Sequence, residues 1–168
     1  MRWPVVLATC AAATVAVAQP LAPQDAVVVV AEHHAIQREL ALADLAQHGS
    51  ERVAELGRHL GRDLGFADDQ VATFAHMRGV SLDTPPDAWD RAAADRLQRL
   101  ARLDGVAFDR EVLAAIDGDL GRHLDWLDSL AHERRDGQLM TLLATMKPTL
   151  ARYQGQAAWL QRRFRPAT

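Results

Sequence analysis

A chain of 168 residues, 49% of them hydrophobic, is long enough to bury a full core as one domain without disulfides or a structural metal. Its formal charge of −3 excludes nucleic acid and anionic lipid as general partners, because both are held through a concentrated positive field. Leucine, alanine and arginine dominate, with one tyrosine and four phenylalanines, a composition that favours helices.

The first segment reads as an export signal. Arg2 precedes the apolar stretch "PVVLATCAAATVAVA", which is short for a membrane span, and Ala16-Val17-Ala18 is an A-x-A cleavage site. Cleavage there leaves a mature chain beginning "QPLAPQD", without the lone Cys10 and without a membrane span, in the periplasm or outside the cell. Lipid attachment at Cys10 is disfavoured, because a threonine precedes it and the apolar run before it is very short. The expected organisation is a signal peptide over 1–18, a linker over 19–27 and one helical domain over 28–164.

Five helices follow in order. Asp25 is the expected cap of the first, whose apolar face carries Ile36, Leu40 and Ala43, and which ends at Gly49. Ser50 opens the second, with Val53, Leu56, Leu60, Leu64, Ala67, Val71 and Phe74 at three-and-four spacing. "GVSLDTPPD" at 79–87 cannot continue a helix, and Asp87 caps a short third one through Trp89, Leu97, Leu100 and Leu103. After the break "LDGVAFD", a fourth runs on Leu113, Ile116, Leu120, Leu124 and Leu127 to "RRDG". The fifth carries Leu139, Leu142, Met146, Leu150, Tyr153, Ala157, Leu160 and Phe164, with Pro148 as an expected kink. Four long helices and one short one predict an all-α fold, an antiparallel four-helix bundle with an additional short helix.

Chemistry-bearing motifs are sparse. Of the seven histidines, none stands in a Glu-x-x-His, His-x-x-x-His or His-Glu-x-x-His pattern, so dimetal-carboxylate and zinc-protease sites lack their motifs. His59 with Asp63, and Asp119 with His123, lie four apart on one helix face, a spacing more typical of surface pairs than of ligands. "EHH" at 32–34 could catch a metal adventitiously, but adjacent helical side chains point about 100° apart, so its histidines read as solvent-exposed. Ser50, Ser81 and Ser129 lack a nucleophile elbow, and Trp89, Trp126 and Trp159 read as core or core rim. Gly57, Gly61 and Gly65 line up every four residues and point to close helix packing.

From about Val28 to Leu160 the chain resembles the exported bacterial proteins of the domain of unknown function 4142 family. The pieces are "ELALADLA" at 39–46, "ERVAELGRHLGRDL" at 51–64, "GVSLDTPPD" at 79–87, "RLQRLARLDGVAFDREVLAAIDGDL" at 96–120 and "MKPTLARYQGQA" at 146–157. The most specific is "LDGVAFDREVL", with its aromatic-Asp pair after a Gly-containing break. The resemblance implies a ferritin-like helical bundle. It also implies that three family histidines are replaced here, by Leu64 and Leu120 after Asp63 and Asp119 and by Tyr153 in the last helix. Those three positions fall on the apolar stripes, so a site lined by histidines would have become packed core.

Two functions are therefore expected. The first is a non-catalytic binding or envelope-associated protein without a cofactor, taking an unknown protein or small molecule as partner. The alternative is a ferritin-like protein binding iron or another divalent metal through a carboxylate-rich site of Glu39, Asp63, Asp119 and His123. No residue pattern supports an enzyme. If the carboxylates converge inside, each needs an arginine, a histidine or its own proton, and Arg38, Arg62, Arg122, His59 and His123 are the local candidates.

Overall fold

The computed structural model describes residues 20–133 and 135–164; the expected export segment, with Cys10, lies outside them. Five helices are formed: α1 (Pro23–Ala46), α2 (Glu51–Met77), α3 (Ala88–Leu100), α4 (Gly105–Leu130) and α5 (Gly137–Arg163). No strand occurs among the described residues, so the protein is all-α. No helix among them is long and apolar enough to cross a membrane.

The helix ends show where local chemistry decides. α1 starts at Pro23, whose fixed φ suits the first turn, so Asp25 is not its cap and the helix takes in part of the stretch expected as linker. Asp25 is instead buried in the first turn, where it accepts from Arg135 Nη1 at 3.2 Å and from the backbone N–H of Asp136 at 3.2 Å. α2 closes with Gly79 at φ 69°, the left-handed conformation that lets Val80 N–H return to the Ala75 carbonyl at 2.9 Å and Gly79 N–H to His76 at 3.2 Å. The expected cap at Asp87 is present as a full capping box, since Asp87 and Asp90 each accept the other's backbone N–H at 2.8 Å. α5 is one continuous element through Pro148.

α1 packs chiefly on α2 and α4 on α5; α1–α4 and α2–α5 contacts join these pairs, whereas α3 touches α1 and α4 only lightly. Ile36, Leu42, Leu60, Leu64, Leu113, Ile116, Leu120, Leu139, Leu143 and Leu150 are fully enclosed in the core between them. Leu64, Leu120 and Tyr153 are all buried, as their stripes predict. Of the aligned glycines only Gly57 is a true close approach: a Cβ there would lie 2.6 Å from the Ala43 carbonyl oxygen, whereas one at Gly65 would meet nothing. The aromatic-Asp pair also finds its place, for Phe108 and Asp109 are buried and Asp109 Oδ1 accepts the Ser50 N–H at 2.9 Å, tying α4 to the α1–α2 turn.

Candidate functional site

On α1 the core-facing positions run Glu32, Ile36, Glu39, Ala43, a four-three-four spacing that puts two glutamates two turns apart on the buried face. Across from them α4 presents His123 between the buried Leu120 and Leu127. Its Nδ1 lies 2.8 Å from Glu39 Oε1, and its Nε2 lies 3.0 and 3.1 Å from the two oxygens of Glu32. Exposure is 0% for Glu32, 4% for Glu39 and 5% for His123, so all three are taken from water together.

Such burial is tolerated only if charge is answered by charge and hydrogen bonds. Burial by itself lowers the His123 pKa, but the hydrogen bonds it donates to Glu32 and Glu39, with their charges, outweigh it and carry the value up to about 10. The ring is thus an imidazolium near neutral pH, donating from both nitrogens. Glu39 is pushed up above the usual carboxylate range, first by burial and then by the neighbouring charges of Glu32 and Asp119, against the lowering pull of His123. Its second oxygen, Oε2, is buried with no hydrogen-bond partner. Only with both carboxylates ionised does the cluster carry a surplus negative charge, and the rise in the Glu39 pKa opposes that state.

Glu39 and His123 also line a cleft of about 700 Å³ between α1, α3 and α4. Ala31, Ala35, Ala92 and Ala93 leave room for it, and Trp89 and Trp126 stand at its walls, with the Trp126 ring centroid 5.9 Å from that of His123. The tryptophan expectation is corrected here: Trp89 is 69% exposed, because α3 is too loosely seated to bury the first residues of its stripe, and Trp159 on α5 is also exposed. Around the cleft, Arg38 pairs with Asp90 at 2.7 Å, and Arg96 and Arg122 both pair with Asp119. Asp90 also meets His34 Nδ1 at 2.6 Å; the Asp87 backbone N–H, Arg38 and His34 outweigh its burial and bring its carboxyl down to about 2.

The four residues expected to form a metal site are placed unequally. Glu39 and His123 meet directly, and Asp119 lines the same cleft with its oxygens engaged by arginines. Asp63 lines a separate cavity of about 220 Å³ and accepts from Tyr153 Oη at 2.7 Å, Arg152 at 2.6 Å and Arg62 at 3.0 Å. Tyr153 is the largest influence holding the Asp63 carboxyl below its usual range. His59 is exposed and takes no part. The histidines of "EHH" are not solvent-exposed, as expected of them, but half-buried against Asp68 at 2.7 Å and Asp90, and Glu32, to which the sequence assigned no role, is enclosed. The spacing Glu32-Ile36-Glu39-Ala43 was the available sign. His34, Asp87 and Asp90 alone among the described residues place three ligand-type atoms within 4.8 Å of one another, and the oxygens of Asp90 are already occupied by Arg38, His34 and the Asp87 N–H.

A protein-family model described as a domain of unknown function (DUF4142) matches residues 10–160. No curated protein matches the chain. No solved structure matches it either.

Proposed function

The chain belongs to the DUF4142 family, whose description names no activity, and on that premise we propose that it is a non-catalytic binding protein whose α1–α3–α4 cleft receives a small ligand. One observation carries the reading: a cleft of about 700 Å³, within the size range of small-molecule sites, is lined by apolar alanines, two tryptophans and the buried Glu39–His123 pair. The five helices suit a four-helix bundle of ferritin-like kind with α3 added, and the N-terminal apolar run with Ala16-Val17-Ala18 suits export to the periplasm or beyond.

The test is binding of phenylnaphthylamine, a neutral fluorophore that brightens in apolar sites, to the mature chain and to Ala35→Phe, which fills the cleft from α1. Enhanced fluorescence with the parent chain, lost in Ala35→Phe at unchanged helicity, supports the reading. Equal enhancement in both chains would place the site elsewhere.

A second reading keeps a divalent metal or iron, with Glu39 and His123 at its centre and Asp119 in the same cleft; Asp63, expected as a fourth ligand, lines a different cavity and falls outside this set. Glu39 Oε2 favours it as the uncommitted donor, although His123 would have to give up a proton to ligate. Metal content of protein purified without a histidine tag decides: near-stoichiometric metal, lost in Asp119→Ala, supports it, and a metal-free folded chain removes it.

A further inference from the structure

Outside the α1–α3–α4 cleft, a second cavity of about 650 Å³ opens between the N-terminal half of α1 and the segment 78–87. Its walls are mostly apolar, with Leu21, Val27, Val30, Val80 and Pro85, and two of its polar side chains, Thr84 and His34, meet there. We infer that Thr84 is a covalent acyl acceptor: its hydroxyl, activated by His34 with Asp90 behind it, takes the acyl group of a small apolar ester that enters this cavity.

A hydroxyl, a base and an orienting carboxylate stand in series. Thr84 Oγ1 lies 2.7 Å from His34 Nε2, and His34 Nδ1 lies 2.6 Å from Asp90 Oδ2. Asp90 is itself fixed, by Arg38 at 2.7 Å and the Asp87 N–H at 2.8 Å, and its carboxyl, brought down to about 2, is ionised. An ionised acceptor at Nδ1 makes that nitrogen the N–H donor of the neutral imidazole and turns the lone pair of Nε2 to the threonine, the tautomer that a general base requires. Thr84 is held as firmly. Its N–H donates to the Leu82 carbonyl at 2.9 Å, and Pro85 after it restricts its backbone to extended conformations. The three residues come from α1, the 79–87 segment and α3, so no local motif announces them. The chemical step balances. As Thr84 Oγ1 bonds to the carbonyl carbon of the ester, its proton passes to His34 Nε2; the bond from that carbon to the alcohol oxygen breaks, and His34 returns the proton to the departing alkoxide. The products are a Thr84 acyl ester and a free alcohol, with His34 neutral again. This is stoichiometric capture, and it is independent of the ligand in the α1–α3–α4 cleft.

The inference is tested by incubating the mature chain with p-nitrophenyl butyrate, following nitrophenol release and intact mass, and locating the acylated residue by peptide mapping. One butyryl group per chain is expected, on Thr84. Thr84→Val should take none, and Thr84→Ser should take it at least as fast, both at unchanged helicity. In His34→Ala the rate of capture should fall about a hundredfold or more and recover, still on Thr84, with added imidazole, which a His34 that merely holds the loop would not allow. Asp90→Asn should lower the limiting rate of capture while the half-saturating ester concentration stays the same, the mark of a positioning residue. A butyryl group on Ser81, on Lys147 or on the amino terminus in place of Thr84, or equal capture by Thr84→Val, would overturn the inference, as would a parent chain that takes no label. Should His34→Ala or Asp90→Asn fail to fold, the contrast between Thr84→Val and Thr84→Ser still decides. Phenylnaphthylamine reads the other cleft, so failure of either reading leaves the other standing.

Discussion

At the scale of single residues the molecule turns on His123. An imidazolium between two buried carboxylates is costly to assemble and more costly to break, since removing one member strands the charge of the others. His123→Leu should therefore destabilise the fold by about 3–5 kcal/mol, whereas converting Glu32, Glu39 and His123 together to leucine should recover most of that loss; urea unfolding of both chains checks the contrast. The same group sets a pH dependence. Its folded pKa of about 10 stands above the ordinary 6.5, so its contribution is complete below about 6.5 and is lost as the pH rises through about 10. Glu39, also raised, acts in the same direction. Melting temperature should fall across that alkaline window in the parent chain and stay flatter in His123→Gln.

At the scale of elements, the α1–α2 pair depends on one missing methyl group. Gly57→Ala would drive a Cβ to within 2.6 Å of the Ala43 carbonyl oxygen, which is backbone and cannot rotate away, and should cost about 1–3 kcal/mol. Gly65→Ala meets open space and should be neutral or gain up to about 1 kcal/mol from helix propensity. Equal effects in denaturant unfolding would mean that the helices can separate to accommodate the methyl group. From the sequence alone the glycine stripe was visible, but not which member touches backbone, because that depends on where the partner helix crosses. The helices themselves were legible: the stripes of α2 and α5 and the capping aspartate of α3 all rest on local spacing and local hydrogen bonds. α1 was harder. Its run of four valines from Val27 to Val30 is apolar all round, so no stripe marks an inner face there, and a carboxylate is assigned to water by default. Glu32 shares the face of Ile36, Glu39 and Ala43, but what makes its burial tolerable is a histidine 91 positions later, a partner that no local pattern announces.

At the scale of the whole molecule, the two close helix pairs form the stable body and α3 is an appendage. It buries only Ala93 and Leu100 and is held at its start by Asp90 on His34 and Arg38, and further along by Arg96 on Asp119. Fewer buried apolar contacts mean a lower free energy of local opening. In native-state hydrogen exchange the amides of α3 should be the least protected of the five helices; α3 protected as well as α4 would mean a helix more tightly fitted to the body. The ion pairs that hold α3 also engage Arg38 and Arg96, so the seating of this helix and the charge lining the cleft are set by the same contacts.

The Glu32–His123–Glu39 cluster has one further consequence, for how the sequence can change over time. Its members lie in two distant stretches of the chain, and a change at any one of them leaves the other two mismatched in a place where water cannot reach. A lineage cannot drift away from this core one position at a time without passing through a weakened protein, so the three positions are bound to be kept together or given up together.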